Sequence, residues 1–212
     1  MRIDSTLQDL LAGVTFTGAV REDMIAFLTR HDYHHTAGHC LRVAAEARAL
    51  AERFGEDPQK AEMAGWLHDI STVVPNGERI PLAERLGLDI LPEERRLPMI
   101  LHQKLSAVIA RELFGVDDPA VLRAIGCHTT LRAAATGLDK AVFLADKIRW
   151  DQPGEPPYLT AVNAALQRSL DHAVFTFVAH LWQRRATLPV VHPWLAVAHQ
   201  ELAAQLGIAD SG

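Results

Sequence analysis

Apolar residues in this chain recur every three or four positions, the period of a helix with one buried face. Val43, Ala47, Leu50 and Phe54 share such a face, while Glu46, Arg48, Glu52 and Arg53 take the others. The same reading covers 19–30, 58–69, 103–114, 119–127, 138–150, 158–185 and 193–206. These tracts are rich in Ala, Leu, Glu and Arg, which are strong helix formers. Phe54-Gly55 is followed by Asp57-Pro58, and Phe114-Gly115 by Asp118-Pro119. In each place glycine suits a left-handed C-cap, the acid an N-cap and proline the first helical turn. Strand signals are nearly absent, and Val73-Val74, the best of them, is poor. The pattern predicts an all-α fold. Two stretches break it: 71–100, with Pro75, Asn76-Gly77, Pro81, Pro92 and Pro98, and 151–157, which reads Asp-Gln-Pro-Gly-Glu-Pro-Pro. Both read as insertions over one helical core, where binding residues often sit.

Composition narrows the class. With 212 residues, 49% of them hydrophobic, the chain can bury a sizeable core without disulfides. One domain over 1–212 is expected, with its core at about 20–150 and a helical extension at about 158–207. Cys40 and Cys127 show no CxxC or zinc-ribbon spacing and read as reduced, packed thiols. A formal charge of −5 lacks the basic excess of a nucleic-acid coat or a membrane-surface module, so neither partner is expected. An anionic substrate stays open, because a metal ion can supply local positive charge. The opening MRIDSTLQDL has no basic stretch followed by an apolar one, and no apolar run approaches about 18 residues. The expected location is the cytoplasm.

Eleven histidines are the odd number in the composition. His39, His68-Asp69, His102, His128-Thr129 and Asp146 each sit in or beside an apolar helical pattern; AEMAGWLHDIST surrounds the central pair. A buried carboxylate beside a buried imidazole is costly unless each is paired or binds a metal. One such histidine is usually a hydrogen-bonded core residue. Four of them with two aspartates point to metal chemistry, of a kind that suits Fe, Mn, Co, Ni or Zn better than Mg. Neighbours on a helix point about 100° apart, so His68 and Asp69 can approach one ion from two sides. Asp69, with two oxygens, can reach a second. Two ions so held lower the pKa of a bridging water and stabilise charge on a phosphoryl group. A GxxxxGK[ST] loop, a GxGxxG turn after a strand and a GxSxG elbow are all missing.

The ordered set His…His-Asp…Asp, carried by 38–69, 101–130 and 139–148, resembles the signature of the all-helical HD-domain metal-dependent phosphohydrolases. It is most similar to the YqeK-type branch, symmetrical bis(5'-nucleosyl)-tetraphosphatases, which cleave diadenosine tetraphosphate to two ADP. The resemblance implies that His39, His68, Asp69 and Asp146 bind a first metal. It implies that Asp69 bridges to a second metal, completed by His102 and His128, and that Asp69 and His68 are catalytic. The implied cofactor is a pair of transition-metal ions, iron first, with Mn, Co, Ni or Zn as alternatives. The implied reaction is attack by a metal-bridging water on a nucleotide phosphoanhydride, with a dinucleoside polyphosphate as substrate and a homodimer as the assembly. Two departures stand out. Thr72 replaces the lysine usual three residues after the HD aspartate, and the tract after Asp146 runs Lys147-Ile148-Arg149-Trp150 instead of the family's "YIEP". The alternatives are an HD nucleotidase or pyrophosphatase for another nucleotide, or a non-catalytic nucleotide-binding signalling module.

Substrate contacts are assigned to His35, Arg42, Lys104, Thr129, Lys147 and Arg149. Arg42 either meets phosphate or pairs with Glu46 across one helical turn. His31, His34 and His35 crowd into HDYHH, read as a polar turn with solvated rings, although His35 lies one turn before His39. His172, His180, His192 and His199 lack matching acids and read as outside the site. Phe175, Phe177, Leu181, Trp182, Trp194 and Leu195 give the last helices large apolar surface, which either completes the core or packs against a second copy.

Overall fold

The structure, a computed structural model, describes residues 4–208, so the outermost residues of the expected 1–212 domain lie outside it. Every regular element among the described residues is helical. In chain order these are α1 (Ser5–Leu10), α2 (Val20–Arg30), α3 (His34–Phe54), α4 (Pro58–Leu67), α5 (Arg79–Arg85) and α6 (Pro92–Arg96). There follow α7 (His102–Glu112), α8 (Pro119–Cys127), α9 (Gly137–Ile148), α10 (Leu159–Ala165), α11 (Leu170–Gln183) and α12 (Pro193–Leu206). Local chemistry sets many of the ends. Gly55, at φ +80°, closes α3. Asp57 then accepts from the backbone N–H of Gln59 and Lys60 at 2.9 and 3.1 Å, and Asp118 from that of Ala120 at 2.8 Å. Thr136 and Asp139 cap α9 reciprocally.

The elements depart from the sequence pattern in ways that matter. The 58–69 tract leaves the helix after Leu67, and Asp69 (φ −108°, ψ 15°) leads into a 3-10 turn at Ile70–Val73. Val73-Val74 therefore forms no strand. The 158–185 tract is cut in two, because Ser169 is extended (φ −167°) and its hydroxyl accepts from the His172 N–H at 3.1 Å to start α11. The 71–100 insertion holds α5, α6 and short 3-10 turns joined by irregular stretches. The 151–157 stretch is irregular, as its prolines require.

Helix α3 packs against α4 and α9, and α8 against α4, α7 and α9. One hydrophobic cluster runs from Leu7 through Phe27, Leu67, Leu105, Ile125 and Phe143 to Phe177 and Leu202. In the tail, Phe177 and Leu195 are buried and Phe175, Leu181, Trp182 and Trp194 half-buried within the chain's own fold. Phe177 and Leu195 belong to that core, and Phe175 and Leu181 pack against it. No helix among the described residues is long and apolar enough to cross a membrane.

The approach of α3 to α4 is set by one glycine. A Cβ on Gly65 would stand 2.5 Å from Ala44 Cα and 2.8 Å from Ala44 N, both backbone atoms that cannot swing aside. Gly65→Ala should push the helices apart at a cost of about 1–3 kcal/mol. Calorimetry should show a midpoint lower by roughly 2–12 °C, with metal content reduced because His39 and His68 ride on the two helices. An unchanged midpoint would show that this contact yields freely.

Candidate metal centre

The six residues singled out in the sequence come together at the ends of five helices. His39 lies one turn into α3, His68 and His128 cap the C-termini of α4 and α8, His102 begins α7, and Asp146 lies in the last turn of α9. Three of the histidines are held by one repeated device. Nδ1 donates to the carbonyl three residues earlier: His68 to Gly65 at 2.8 Å, His102 to Met99 at 2.6 Å and His128 to Ile125 at 2.8 Å. A carbonyl only accepts, so the neutral ring carries its proton on Nδ1 and turns an Nε2 lone pair inward.

These lone pairs converge. His68 Nε2 lies 3.3 Å from His39 Nε2, and His102 Nε2 lies 2.9 Å from His128 Nε2. Asp146 Oδ1 is 3.1 Å from His39 Nε2 and 3.7 Å from His68 Nε2. Asp69 faces both ways: Oδ2 is 3.6 Å from His68 Nε2, while Oδ1 is 3.2 Å from His102 Nε2 and 3.5 Å from His128 Nε2. Acceptors aimed at one another repel unless a cation lies among them. Donors about 2.1 Å from a common ion stand roughly 3–4 Å apart, the range found here. His39 Nδ1 adds a buried polar atom with no hydrogen-bond partner among the described residues. The donor set thus fits metal ions. Within 4.8 Å of mutual reach, His39, His68 and Asp146 form one group and His68, Asp69 and His128 another. His68 belongs to both, whereas the resemblance implied it for the first metal alone.

The charges agree with a site built for cations. Burial alone would raise the Asp69 and Asp146 carboxyls; the charge of His68 beside Asp69, and of Lys147 beside Asp146, holds both well below the carboxylate range. Burial pushes the His68 imidazole down, but the Asp69 carboxylate carries it well above its ordinary value, so a proton on Nε2 answers that carboxylate until a metal ion displaces it. Burial also takes His128 down to about 4, a neutral donor. Cys40 and Cys127 are both buried and free, and burial pushes both thiols up, so neither offers a thiolate.

The other assignments divide. Thr129 Oγ1 stands 3.1 Å from His102 Nε2 and 3.2 Å from His128 Nε2. Lys147 Nζ reaches Asp146 Oδ2 at 2.5 Å and the His128 carbonyl at 3.3 Å. Lys104 turns elsewhere, donating at 2.7 Å to both buried Glu94 and the Asp89 carbonyl. Arg149 pairs with Glu46 at 2.6 Å, so Arg42, exposed on α3, does not have that acid to itself. His35 is exposed in the first turn of α3. Two histidine readings are corrected. His31 is not solvated, since its Nε2 meets the Leu10 carbonyl at 2.9 Å. His192 does have an acid partner, Glu94 at 3.3 Å.

Sequence reasoning missed the supports. Gln103 Oε1 accepts from the N–H of Thr129 and Thr130 at 3.1 and 3.3 Å, fixing the turn after His128 against the helix that begins at His102. Ser71 Oγ donates to the His102 carbonyl at 2.8 Å and shares a 3.0 Å bond with Ser106. The signal was present: a polar side chain inside LHQKLS that apolar packing does not call for. Arg79, within the 71–100 insertion, was not singled out. It is buried, donating from Nε to the Val74 carbonyl at 3.2 Å and from Nη1 to the Met99 carbonyl at 3.0 Å.

Comparison with known proteins agrees with this architecture. The family model described as HD domain matches residues 36–151. A protein from Lactococcus lactis subsp. cremoris, described as an uncharacterized protein in the pepC 5' region, is 44% identical over 69% of this chain and 74% of its own length. The symmetrical bis(5'-nucleosyl)-tetraphosphatase of Halalkalibacterium halodurans is 34% identical over 84% of this chain and 92% of that protein. Its Staphylococcus aureus counterpart is 38% identical over 65% and 70%. Among solved structures, a Clostridium acetobutylicum protein described as a "predicted HD superfamily hydrolase involved in NAD metabolism" shares the fold, with a TM-score of 0.73 at 24% identity over 97% of this chain and 99% of that one.

Proposed function

The chain belongs to the HD-domain family, and from there we propose that it is a symmetrical bis(5'-nucleosyl)-tetraphosphatase, cleaving diadenosine tetraphosphate to two ADP, with iron as its native metal. It is a metal-dependent phosphohydrolase of nucleotide phosphoanhydrides; the proposal adds the dinucleotide, the point of cleavage and the metal. The observation that carries it is the Asp69 carboxylate, which turns one oxygen toward each of two donor groups, in a chain similar to the symmetrical bis(5'-nucleosyl)-tetraphosphatase of Halalkalibacterium halodurans over 92% of that protein.

In this reading His39, His68 and Asp146 would hold one ion and His102 and His128 the other, with Asp69 able to serve both. When bound, such a pair of ions neutralises phosphoryl oxygens and acidifies a water for attack. The chain's own residues do the positioning. Lys147 occupies Asp146 Oδ2, leaving Oδ1 for the histidines. Thr129 places a hydroxyl beside the second pair of imidazoles, in reach of a phosphate oxygen there. ADP leaves as a stable anion, so little is asked of a general acid. Where the chain is cut depends on where the nucleoside ends are held relative to the centre. The segment after Asp146 offers Trp150, 40% exposed and with its ring 6.2 Å from that of Tyr158, as a platform for a base.

Hydrolysis of diadenosine tetraphosphate with added Mn²⁺ or Fe²⁺ in oxygen-18 water, followed by chromatography, tests the proposal. Two ADP, one of them labelled, is the expected result. AMP plus ATP would refute symmetrical cleavage. Turnover of a different nucleotide alone would make the chain an HD nucleotidase or pyrophosphatase.

A further inference from the structure

Most cations near the motifs are already spent on acids. Lys104 is held by Glu94, Arg132 by Asp139, Lys140 by Asp171, Lys147 by Asp146 and Arg149 by Glu46, all within 3.2 Å. Arg79 differs. It is 8% exposed, yet no carboxylate among the described residues lies within 4.0 Å of its guanidinium. A charge buried to this degree is costly unless something of opposite sign meets it.

Its surroundings say where that partner would come from. Nε and Nη1 are spent on the carbonyls of Val74 and Met99. The Met99 carbonyl also accepts from His102 Nδ1, at 2.6 Å. One carbonyl oxygen thus anchors both the guanidinium and, through the ring nitrogen turned away from the other donors, a histidine of the metal cluster. Burial pushes the guanidinium down from its ordinary value, against the opposing pull of the Asp69 carboxylate and the Tyr33 hydroxyl. Nη2 has no protein acceptor among the described residues and is not sealed from solvent. The remaining donor edge of the guanidinium is free for an anion, and a planar guanidinium matches phosphate oxygens two at a time.

We infer that Arg79 binds a phosphate group of the substrate, supplying from the 71–100 insertion a positive charge beside the metal cluster. Thr72 supplies no such charge, and its hydroxyl is spent on the Asp69 carbonyl at 2.8 Å. The inference rests on the phosphohydrolase reading, and its test is a binding measurement that needs no turnover.

The probe is inorganic phosphate, titrated calorimetrically into protein purified with its metals. Arg79→Gln can still donate to a carbonyl but carries no charge, and Arg79→Lys keeps the charge. Losing charge-assisted hydrogen bonds should weaken phosphate binding roughly 10- to 100-fold in Arg79→Gln, with Arg79→Lys recovering most of it. Metal content by elemental analysis should be the same in all three. Equal phosphate affinity in the Gln and Lys variants would overturn the inference, as would loss of metal in step with loss of phosphate. Should the variants fail to fold, the unaltered protein decides. Crystals soaked in phosphate should show an oxygen within about 3.2 Å of Nη2, and phosphate held elsewhere, or not at all, overturns it. A protein that binds phosphate through Arg79 but cleaves no nucleotide would keep this inference and lose the proposed function.

Discussion

Replacing Asp69 by alanine is expected to eliminate nucleotide hydrolysis. The loss should be at least about a thousandfold, the upper end of what one transition-state hydrogen-bond donor contributes, because one carboxylate serves both halves of the centre. Its Oδ1 lies 3.2 and 3.5 Å from the Nε2 atoms of His102 and His128, and its Oδ2 lies 3.6 Å from that of His68. Alanine leaves four imidazoles with inward-facing nitrogens and removes one of the two carboxylates that, among the described residues, draw positive charge to them. Elemental analysis of the purified variant should show fewer than two metal ions per chain. Asp69→Asn, which keeps one carbonyl oxygen but no charge, should fall between. The control is His172→Ala, whose ring bonds Ser169 Oγ at 2.8 Å at the start of α11 and which should keep nearly full activity. Equal losses from Asp69→Ala and His172→Ala would place the site elsewhere.

The second large effect is on stability. Glu94 on α6 is fully buried, and it accepts from Lys104 Nζ at 2.7 Å, from the Leu91 N–H at 2.8 Å and from His192 Nε2 at 3.3 Å. Lys104 also lies over the Trp194 ring, 5.0 Å from its centroid. One carboxylate therefore joins the 71–100 insertion to α7 and to the start of α12. Glu94→Ala leaves a nearly buried ammonium without its counter-charge, a change that typically costs about 3–5 kcal/mol. The thermal midpoint should fall by roughly 6–20 °C. A fall under about 2 °C would show that the network contributes little.

The same group gives a pH signature. Burial would raise the Glu94 carboxyl, but the hydrogen bonds from His192, Lys104 and the Leu91 N–H hold it below its ordinary 4.5. A folded value below the unfolded one means that its stabilisation is complete above 4.5 and is lost as pH falls through the depressed value. Glu94→Ala should therefore flatten the acid limb of the stability curve as well as lower the plateau.

The helices and the six centre residues were legible in the sequence for different reasons. Helix ends are local: Asp57, Asp118 and Gly55 act on backbone groups within a few residues. The His-Asp set was legible because such side chains in apolar tracts need a compensating partner. Other features depended on distant chain. His192 looked isolated because its acid is 98 residues away. Lys104 looked available to substrate because nothing nearby in sequence shows that Glu94 claims it. The 158–185 tract looked continuous because Ser169, in extended backbone, is a cap whose effect periodicity alone does not show.

What the sequence determined by itself was the all-helical class, the helix punctuation and the identity of the metal-type donors, because propensity, capping and ligand chemistry are written in residue type and short spacing. What only the tertiary structure decided was how the donors group, with His68 close to both sets and Asp69 turned both ways, and which cations are already paired. Those outcomes depend on how helices distant in sequence approach, as Gly65 against the Ala44 backbone does. They also depend on burial, which leaves Arg79 enclosed on two carbonyls with no acid within 4.0 Å among the described residues.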